Sequence, residues 1–446
     1  MSASQAIKTF HIRTFGCQMN EHDSRRMAQL LEGLGMRPAR SERDADLVII
    51  NSCSVRAKPE NKALSEAGRY RRGHDKRSVK VILAGCVAQQ GGARLIEKAP
   101  YIDVVLGPDA IGHLPDILKQ LLDQDGPIVD VTQHDEDNPC FIPLAPAACV
   151  GISALVTIMK GCNNFCSYCI VPHVRGREVS RPRDEILSEI EILARSGCRE
   201  VTLLGQNVNS YRDASGLGFP ELLHEIDEQG AVERIRFTTS HPKDLSDELI
   251  SAVAGLKRVC EHVHLALQSG SANVLQRMNR GYSPENFVEL AAKLRRAVPE
   301  ISITTDLIVG FPGECDVDFE DTLEVVRRVA FDQAFSFKYS PRPKTAAAGM
   351  ADDVSERVKA LRLKTLQTLL SEIEEKSLRR LDGRTLEVLI SGPSKRDAQI
   401  SSGRTRCNRV VNFEAGKHSQ AGSLVDVLIL QARSHTLWAR VPATPR

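Results

Sequence analysis

Short apolar runs alternate with amphipathic stretches over most of the first 340 residues, and this alternation constrains the fold more than any other feature. Between residues 10 and 120 the apolar runs include LVII and VILA, in which no polar residue interrupts the hydrophobic ones. Such runs are typical of strands buried on both faces. Strands separated by helical segments predict a mostly parallel sheet with helices on both sides. We therefore predict an N-terminal doubly wound α/β domain over residues 8–130.

The same alternation returns between residues 153 and 340, where six apolar runs are mostly separated by helical patterns. Six βα units are too few for a closed eight-stranded barrel but regular enough for an open one. We predict a partial (β/α)6 barrel in a central domain over residues 148–378. The polar and then Pro/Ala-rich segment over residues 132–148 has no period and predicts the linker before it.

After residue 381 the composition changes to short runs rich in Val, Ile, Thr and Gly, separated by turn residues. Five such runs predict a small antiparallel β-barrel over residues 381–446. This segment has ten Lys and Arg against five Asp and Glu, although the whole chain has a net charge of only +2. Arg404, Arg406 and Arg409 are therefore candidates for binding an RNA backbone, and an ordinary solvated charged face fits the same pattern equally well.

Twelve cysteines in 446 residues are too sparse for a disulfide scaffold, so metal or redox chemistry is the favoured use. The start of the chain lacks the pattern of a leader peptide, and no run of about 18 apolar residues occurs. These features predict a cytoplasmic protein that does not bind membranes. No sustained heptad pattern appears, which favours a monomer.

The strongest local signal is GCNNFCSYC, which places Cys162, Cys166 and Cys169 in one tight loop directly after a predicted strand. Zinc sites usually need a fourth ligand, and no second CxxC pair lies nearby, although His173 follows within four residues. Three cysteines that hold a cluster of four irons leave one iron without a protein ligand. The pattern therefore favours an iron-sulfur cluster at which a small molecule binds.

A second set of cysteines is spread over the N-terminal domain, with Cys17, Cys53 and Cys86 each just past a predicted strand. In a parallel sheet the carboxyl ends of the strands lie at the same edge, where open α/β sheets build their sites. Three thiolates could therefore meet there. The pattern alone fits single buried cysteines equally well, since cysteine also serves as a small hydrophobic residue.

The CxxxCxxC spacing after the first strand of a partial barrel resembles the radical S-adenosylmethionine (SAM) enzymes. Over essentially its whole length the chain is similar to their methylthiotransferase family, which combines an N-terminal three-cysteine domain, a radical SAM core and a TRAM domain. The resemblance is carried by FGCQMNEHDS, NSCSVRAKPENK, LAGCVAQQ, KGCNNFCSYCIVPHVRGREVSRP, LLGQNVNSY, RIRFTTSHP, LQSGSANVLQRMNRGYS, DLIVGFPGE and FSFKYSPRP. These segments are most similar to members that act on N6-dimethylallyladenosine in tRNA.

The resemblance implies two 4Fe-4S clusters, one on Cys162, Cys166 and Cys169 that binds SAM, and an auxiliary one on the N-terminal cysteines. It implies that carbon 2 of the prenylated adenosine next to the anticodon receives a methylthio group, with sulfur from the auxiliary site. One SAM would methylate the sulfur, and another would furnish a 5′-deoxyadenosyl radical. The implied partners are tRNA carrying N6-dimethylallyladenosine and an electron donor such as flavodoxin or ferredoxin.

Three alternatives remain open from the sequence. The substrate could be a threonylcarbamoyl adenosine in tRNA or an aspartate of a ribosomal protein. The chain could also be an RNA-binding protein stabilised by metal and without catalytic activity.

Further site residues are predicted at the carboxyl ends of the barrel strands. Gly205 and Gln206 follow the second strand, where radical SAM enzymes usually contact the methionine part of SAM. Gln268 and Asp306 close other strands at the same barrel mouth, and each also fits a turn or strand-end role. Arg175 and Arg177 fit contacts to SAM or tRNA phosphate as well as an exposed ion pair. The cysteines without partner spacing are expected to be structural: Cys140, Cys149, Cys198, Cys260, Cys315 and Cys407.

Overall fold

The computed structural model of the chain describes residues 7–54, 57–72, 79–124, 126–133, 141, 151–414, 420–433 and 435–442. Most of the predicted linker over residues 132–148 lies outside these ranges, and so do Cys140 and Cys149. Within the described ranges the chain forms a parallel sheet, a partial barrel and a small closed barrel, in that order. The predicted fold class is confirmed.

The N-terminal sheet is parallel, and its described strands follow the order β2-β1-β3-β4-β5-β6. Its strands are β1 (Thr9–Phe15), β2 (Arg37–Pro38), β3 (Leu47–Ser52), β4 (Lys80–Ala84), β5 (Val104–Leu106) and β6 (Ile128–Asp130). Its helices are α1 (Gln18–Gly33), α2 (Ala57–Arg72), α3 (Cys86–Gly91), α4 (Arg94–Lys98) and α5 (Leu114–Asp123). Leu47 and Ile49 of β3 pack into the core on one face, and Val48 and Ile50 pack into the core on the other. Because both faces are covered, the strand has no polar alternation.

The central unit is a partial barrel of parallel strands that are joined, for the most part, by helices. Its described strands follow the order β7 (Ser153–Thr157), β10 (Glu200–Leu204), β11 (Arg234–Phe237), β12 (His262–His264), β13 (Ser302–Val309) and β14 (Gln333–Lys338). A separate pair of short antiparallel strands comprises β8 (Met159–Lys160) and β9 (Val179–Ser180). Its helices are α6 (Val171–Arg175), α7 (Arg183–Arg195), α8 (Phe219–Gln229), α9 (Asp247–Gly255), α10 (Ala272–Arg277), α11 (Pro284–Ala297), α12 (Asp316–Val329) and α13 (Glu356–Arg379). Parallel bridges from Ile235 to Val259 and from Ser240 to Leu265 join the two halves of the barrel.

The C-terminal unit is a closed barrel with the order β15-β16-β17-β19-β18. Its strands are β15 (Thr385–Pro393), β16 (Ile400–Thr405), β17 (Val410–Glu414), β18 (Leu424–Ala432) and β19 (Leu437–Arg440). The sequence predicted an antiparallel barrel, but β17 and β19 pair in parallel. Strand directions cannot alternate all the way around a closed ring with an odd number of members, so one pair must be parallel.

Among the helices of the described ranges, none combines the length and the apolar character that a membrane crossing needs.

Candidate functional site

The structure brings Cys17, Cys53 and Cys86 together at the carboxyl ends of β1, β3 and β4. Each cysteine follows its strand within two residues, and β3 lies between the other two strands. The loops approach so closely that a Cβ on Gly16, at φ +133°, would lie 2.3 Å from the Cβ of Cys53. A Cβ on Gly85, at φ +88°, would lie 2.2 Å from a side-chain oxygen of Asn51. Glycine is therefore required directly before two of the three cysteines.

The electrostatic environment of this set favours a thiolate at Cys17. A hydrogen bond with Cys53 lowers the pKa of Cys17 to about 6, and the charge of Arg175 acts in the same direction. Burial raises the pKa of Cys86, against the effect of the same guanidinium. Cys17 is exposed, whereas Cys53 and Cys86 are buried. Thiolates are the form of cysteine that binds metal, so this site is prepared for a metal centre reached from the Cys17 side.

A buried amide network fixes the Cys17 loop against the sheet. Cys17 Sγ lies 3.2 Å from the side-chain oxygen of Asn20, and the Asn20 amide donates to Asn51 Oδ1 at 2.9 Å. The Asn51 amide in turn donates to the Ser24 hydroxyl at 3.0 Å. Sequence reasoning missed these residues, although FGCQMNEHDS and INSC place them next to the cysteines.

Cys162, Cys166 and Cys169 lie in the loop that follows β8. Gly161, at φ +73°, precedes Cys162, and a Cβ there would lie 1.8 Å from the carbonyl oxygen of Arg177, so the loop closes only with glycine. Burial raises the pKa of Cys162, and it raises that of Cys169 to about 12. These two thiols therefore lose their protons when a metal binds rather than before.

A buried arginine contacts this cysteine set as well. Arg280 donates from its guanidinium to Cys166 Sγ at 3.3 Å and to the carbonyl oxygen of Ala266 at 2.5 Å. Its Nε donates to the Tyr282 hydroxyl at 3.1 Å. Sequence reasoning missed Arg280 because it lies more than 100 residues from the cysteines along the chain.

Neither cysteine set has the geometry of a mononuclear metal site. In the described part of the chain, no three His, Cys, Asp or Glu side chains lie close enough together to hold one metal ion. An iron-sulfur cluster binds each cysteine at a different iron, so its ligands need not surround a single ion. Two sets of three thiols, each on loops closed by glycine, fit this requirement.

Gly205 and Gln206 lie next to the loop of Cys162. A Cβ on Gly205 would lie 2.4 Å from the side chain of Met159, three residues before that cysteine. The Gln206 side-chain oxygen is buried and has no hydrogen-bond partner among the described residues, and the same holds for both amide atoms of Asn209 and the hydroxyl of Ser240. Buried polar atoms without partners are rare, so a ligand that supplies partners, such as SAM, fits this region.

His241 adds a hydrogen-bond donor to the same region. Its Nδ1 accepts a hydrogen bond from the backbone N–H of Lys243 at 3.3 Å, and burial lowers its pKa to about 3. The neutral ring therefore carries its proton on Nε2, which has no partner in the described ranges. Thr239, two residues earlier, has φ +70°, which is rare for a β-branched residue and is typical of functional sites. Sequence reasoning missed His241, although FTTSHP places it just past a strand.

Gln268 and Asp306 lie together on the other half of the barrel. The Gln268 backbone, at φ +70°, donates to the carbonyl oxygen of Asp306 at 2.8 Å. Ile303 and Leu307 of β13 belong to the main core. Because successive side chains of a strand alternate between faces, Asp306 lies on the opposite face, where its carboxylate is 3.3 Å from His264 Nε2.

The two arginines near the cysteine loop differ in their surroundings. Arg175 is only 5% exposed and contacts Asp23 and Cys86, so the exposed ion pair considered from the sequence is wrong for this residue. Arg177 is exposed and lies over the Phe165 ring at 4.9 Å. Arg175 ends α6, whereas Arg177 lies in the loop after it, whose backbone packs against Gly161.

The three arginines predicted to bind RNA lie where the C-terminal barrel meets the central one. Arg406 pairs with Glu261 at 2.8 Å, and Arg409 is buried and donates to the carbonyl oxygen of Asp332 at 2.7 Å. These two guanidinium groups thus bind the C-terminal barrel to the central barrel. The net charge of the segment could not reveal this role. Arg404 is exposed and bonds locally to Asn408.

The buried Arg236 of β11 completes this docking. It pairs with Glu200 at 2.7 Å and donates to the carbonyl oxygens of Thr405 and Arg406 at 2.7 and 2.8 Å. We expect Arg236→Gln to lower the free energy of unfolding by about 3 kcal/mol, because Glu200 is left as a buried unpaired charge. Thermal denaturation measures this loss, and limited proteolysis shows whether the C-terminal barrel is released. Arg384→Gln breaks an exposed pair with Glu300 and should cost less than about 1 kcal/mol; equal losses would contradict the docking role.

Three family models match consecutive parts of the chain. Uncharacterized protein family UPF0004 matches residues 9–107, the Radical SAM superfamily matches residues 156–326, and the TRAM domain matches residues 379–441. The first range contains Cys17, Cys53 and Cys86. The second contains the CxxxCxxC loop.

Close relatives match over almost the whole chain. The tRNA-2-methylthio-N(6)-dimethylallyladenosine synthase of Syntrophus aciditrophicus is 47% identical over 96% of this chain and 94% of its own length. The synthases of the same name from Caldicellulosiruptor saccharolyticus and Moorella thermoacetica are both 45% identical over 97% of this chain, and 92% and 98% of their own lengths are covered.

Solved structures with the same fold are more distant in sequence. The radical S-adenosylmethionine methyltransferase TsrM from Kitasatospora setae superposes with a TM-score of 0.56 at 14% identity, covering 77% of both chains. The cobalamin-dependent S-adenosylmethionine radical enzyme OxsB gives 0.52 at 12% identity, covering 83% of this chain and 56% of its own. At these identities the likeness shows the fold alone.

Proposed function

The chain belongs to the tRNA-2-methylthio-N(6)-dimethylallyladenosine synthase family of radical SAM enzymes, and on this premise we propose that it methylthiolates carbon 2 of N6-dimethylallyladenosine in tRNA. The observation that carries the proposal is the presence of two separate three-cysteine sites in one chain. Each site has glycine-closed loops, and in each a buried arginine contacts a cysteine sulfur. One site suits radical generation, and the other suits the supply of sulfur.

Cys162, Cys166 and Cys169 would hold the cluster that binds SAM. Carbon 2 of adenosine carries an unactivated C–H bond, which a general base cannot activate. When bound, the cluster and SAM supply the one-electron chemistry that this bond requires. The chain itself orients SAM: Gly205 permits close approach beside Met159, while Gln206 and His241 offer unpaired hydrogen-bonding atoms.

Gln268 and Asp306 would bind SAM from the other half of the barrel. The positive φ of Gln268 turns the chain four residues after β12, where its backbone pairs with Leu307 of β13. Asp306 occupies the face of β13 that is turned away from the main core. A carboxylate and an amide at these positions suit the hydroxyl and amino groups of SAM.

Cys17, Cys53 and Cys86 would hold the auxiliary cluster that provides sulfur. The exposed position of Cys17 gives this site an open side, which both a methyl donor and a bulky RNA substrate need. The lowered pKa of Cys17 and the guanidinium of Arg175 prepare the site for an anionic cluster.

The proposal extends to partners and domains. Residues 8–130 would carry the auxiliary site, residues 148–378 the radical SAM core, and residues 381–446 the TRAM domain that contacts tRNA. Of the three candidate arginines, Arg404 would meet tRNA phosphate directly because it is exposed, while Arg406 and Arg409 would act through docking. We propose that the enzyme works as a monomer in the cytoplasm and is reduced by a flavodoxin or a ferredoxin.

Deletion of the gene in its own organism tests this function. Nucleosides from hydrolysed tRNA should then contain N6-dimethylallyladenosine and lack its 2-methylthio derivative, as seen by mass spectrometry. A plasmid that encodes the chain should restore the derivative, and one that encodes Cys166→Ala should not. An unchanged nucleoside profile after deletion would contradict the proposal.

A further inference from the structure

Arg175 connects the two cysteine sites. It ends α6, six residues after Cys169, and so belongs to the segment that follows the CxxxCxxC loop. Its side chain nevertheless reaches the N-terminal unit, where Nε donates to Cys86 Sγ at 3.3 Å. The other end of the same guanidinium lies 2.6 Å from Asp23 Oδ2. One residue thus joins the central barrel to a cysteine of the auxiliary set.

The ion pair with Asp23 fixes the orientation of this guanidinium. Burial would raise the pKa of Asp23, but the charge of Arg175 prevails and holds that pKa at about 2. The carboxylate is therefore ionised throughout the physiological range, and the pair stays intact. Because guanidinium is planar and its donors have fixed directions, holding one edge at Asp23 directs Nε towards the sulfur. Lysine carries its three donors on one nitrogen, so it lacks the two separated donor atoms with which the guanidinium reaches both acceptors.

A second buried ion pair also joins the N-terminal unit to the central unit, so Arg175 is not the only ionic contact that holds them together. Arg26 of α1 pairs with Glu189 of α7 at 3.0 Å across the same interface, and both residues are buried. Glu189 is also paired with Arg181. No contact that the structure gives for Arg26 involves a cysteine, although its Nε donates to His22 at 3.3 Å and the His22 ring lies 3.9 Å from Asp23. The interface therefore has a buried ion pair that does not touch the auxiliary cysteines.

We propose that Arg175 is a positioning residue through which the radical SAM core sets the reduction potential of the auxiliary cluster. The inference rests on the proposed function in taking Cys17, Cys53 and Cys86 as cluster ligands. Hydrogen bonds to ligand sulfurs and nearby positive charge both stabilise the reduced, more negative state of a cluster. Arg175 supplies both at Cys86 and therefore raises the midpoint potential. Reduction of the auxiliary site thus depends on the docking of the domain that binds SAM.

The test measures the auxiliary cluster alone. In full-length protein carrying Cys162→Ala, Cys166→Ala and Cys169→Ala, the remaining cluster is reconstituted anaerobically and titrated potentiometrically, with its electron paramagnetic resonance signal as the readout. Arg175→Gln should shift the midpoint to more negative potential. Arg175→Lys, which keeps the charge but loses the fixed geometry, should give a smaller shift in the same direction. Arg26→Gln, the matched control at the same interface, should shift the midpoint far less than Arg175→Gln, because Arg26 touches no cysteine.

The outcomes separate this inference from the proposed function. A cluster that forms with the same midpoint in the parent, Arg175→Gln and Arg175→Lys proteins would overturn the inference alone. Equal shifts in Arg175→Gln and Arg26→Gln would also overturn it, since the effect would then belong to the interface. If the parent protein binds no iron at Cys17, Cys53 and Cys86, the proposed function fails, and the inference fails with it. Iron and sulfide content of each variant shows which case applies.

Discussion

Cys162→Ala should reduce both SAM cleavage and methylthiolation to background. Removal of one of the three thiolates in the loop leaves two ligands for a cluster that needs three, so the cluster is lost. Without the cluster, SAM has no source of an electron. We expect the variant to lose the whole catalytic rate enhancement of both reactions, since no other group in the loop can replace the cluster. Chromatography of 5′-deoxyadenosine after anaerobic incubation with a reductant measures the cleavage, and iron content should fall by roughly half, one cluster of two.

Cys315→Ser is the matched control for this substitution. Cys315 is exposed, lies at the N-terminus of α12 and is remote in sequence from both cysteine sets. Serine is well suited to that capping position, so stability and cleavage should both be retained. Substantial SAM cleavage by Cys162→Ala, or an equal loss in Cys315→Ser, would contradict the assignment of the CxxxCxxC loop.

Cys17→Ala should separate the two reactions. The auxiliary site lies on a different sheet from the CxxxCxxC loop, so its loss leaves that loop and the region around Gly205 and Gln206 intact. SAM cleavage to 5′-deoxyadenosine should therefore continue at a comparable rate, while the methylthio product falls to background. Both products are quantified in the same anaerobic reaction, which makes the ratio independent of protein concentration.

Cys198→Ala serves as the control for this second substitution because it removes a buried thiol from the central unit rather than from the auxiliary site. It should retain the ratio of methylthio product to 5′-deoxyadenosine even if its stability falls. A Cys17→Ala protein that still forms the methylthio product would show that sulfur does not come from the N-terminal cysteines.

Much of the fold could be predicted from the sequence because it depends on local patterns. Uninterrupted apolar runs such as LVII predicted strands covered on both faces. The structure confirms this for β3, which packs into a hydrophobic core on each face. Cys17, Cys53 and Cys86 were expected at one sheet edge because each follows a parallel strand, and the structure places them there. The parallel pairing of β17 and β19 was missed because it follows from closure of the ring, which no single strand encodes.

Contacts between units could not be predicted. The sequence suggested that Arg406 and Arg409 bind RNA, whereas they meet Glu261 and Asp332 of the central barrel. Arg175 and Arg280 each reach a cysteine about 90 or more residues away along the chain. Charge and spacing reveal a candidate donor, but only the packed structure shows which acceptor it meets.

The central claim is tested most directly by anaerobic incubation of the reconstituted enzyme, SAM and a reductant with two tRNA samples, followed by mass spectrometry of the nucleosides. One tRNA carries N6-dimethylallyladenosine and the other carries threonylcarbamoyl adenosine. The account predicts a methylthio product from the prenylated tRNA alone. A product from the threonylcarbamoylated tRNA alone, or SAM cleavage without product from either tRNA, would contradict it.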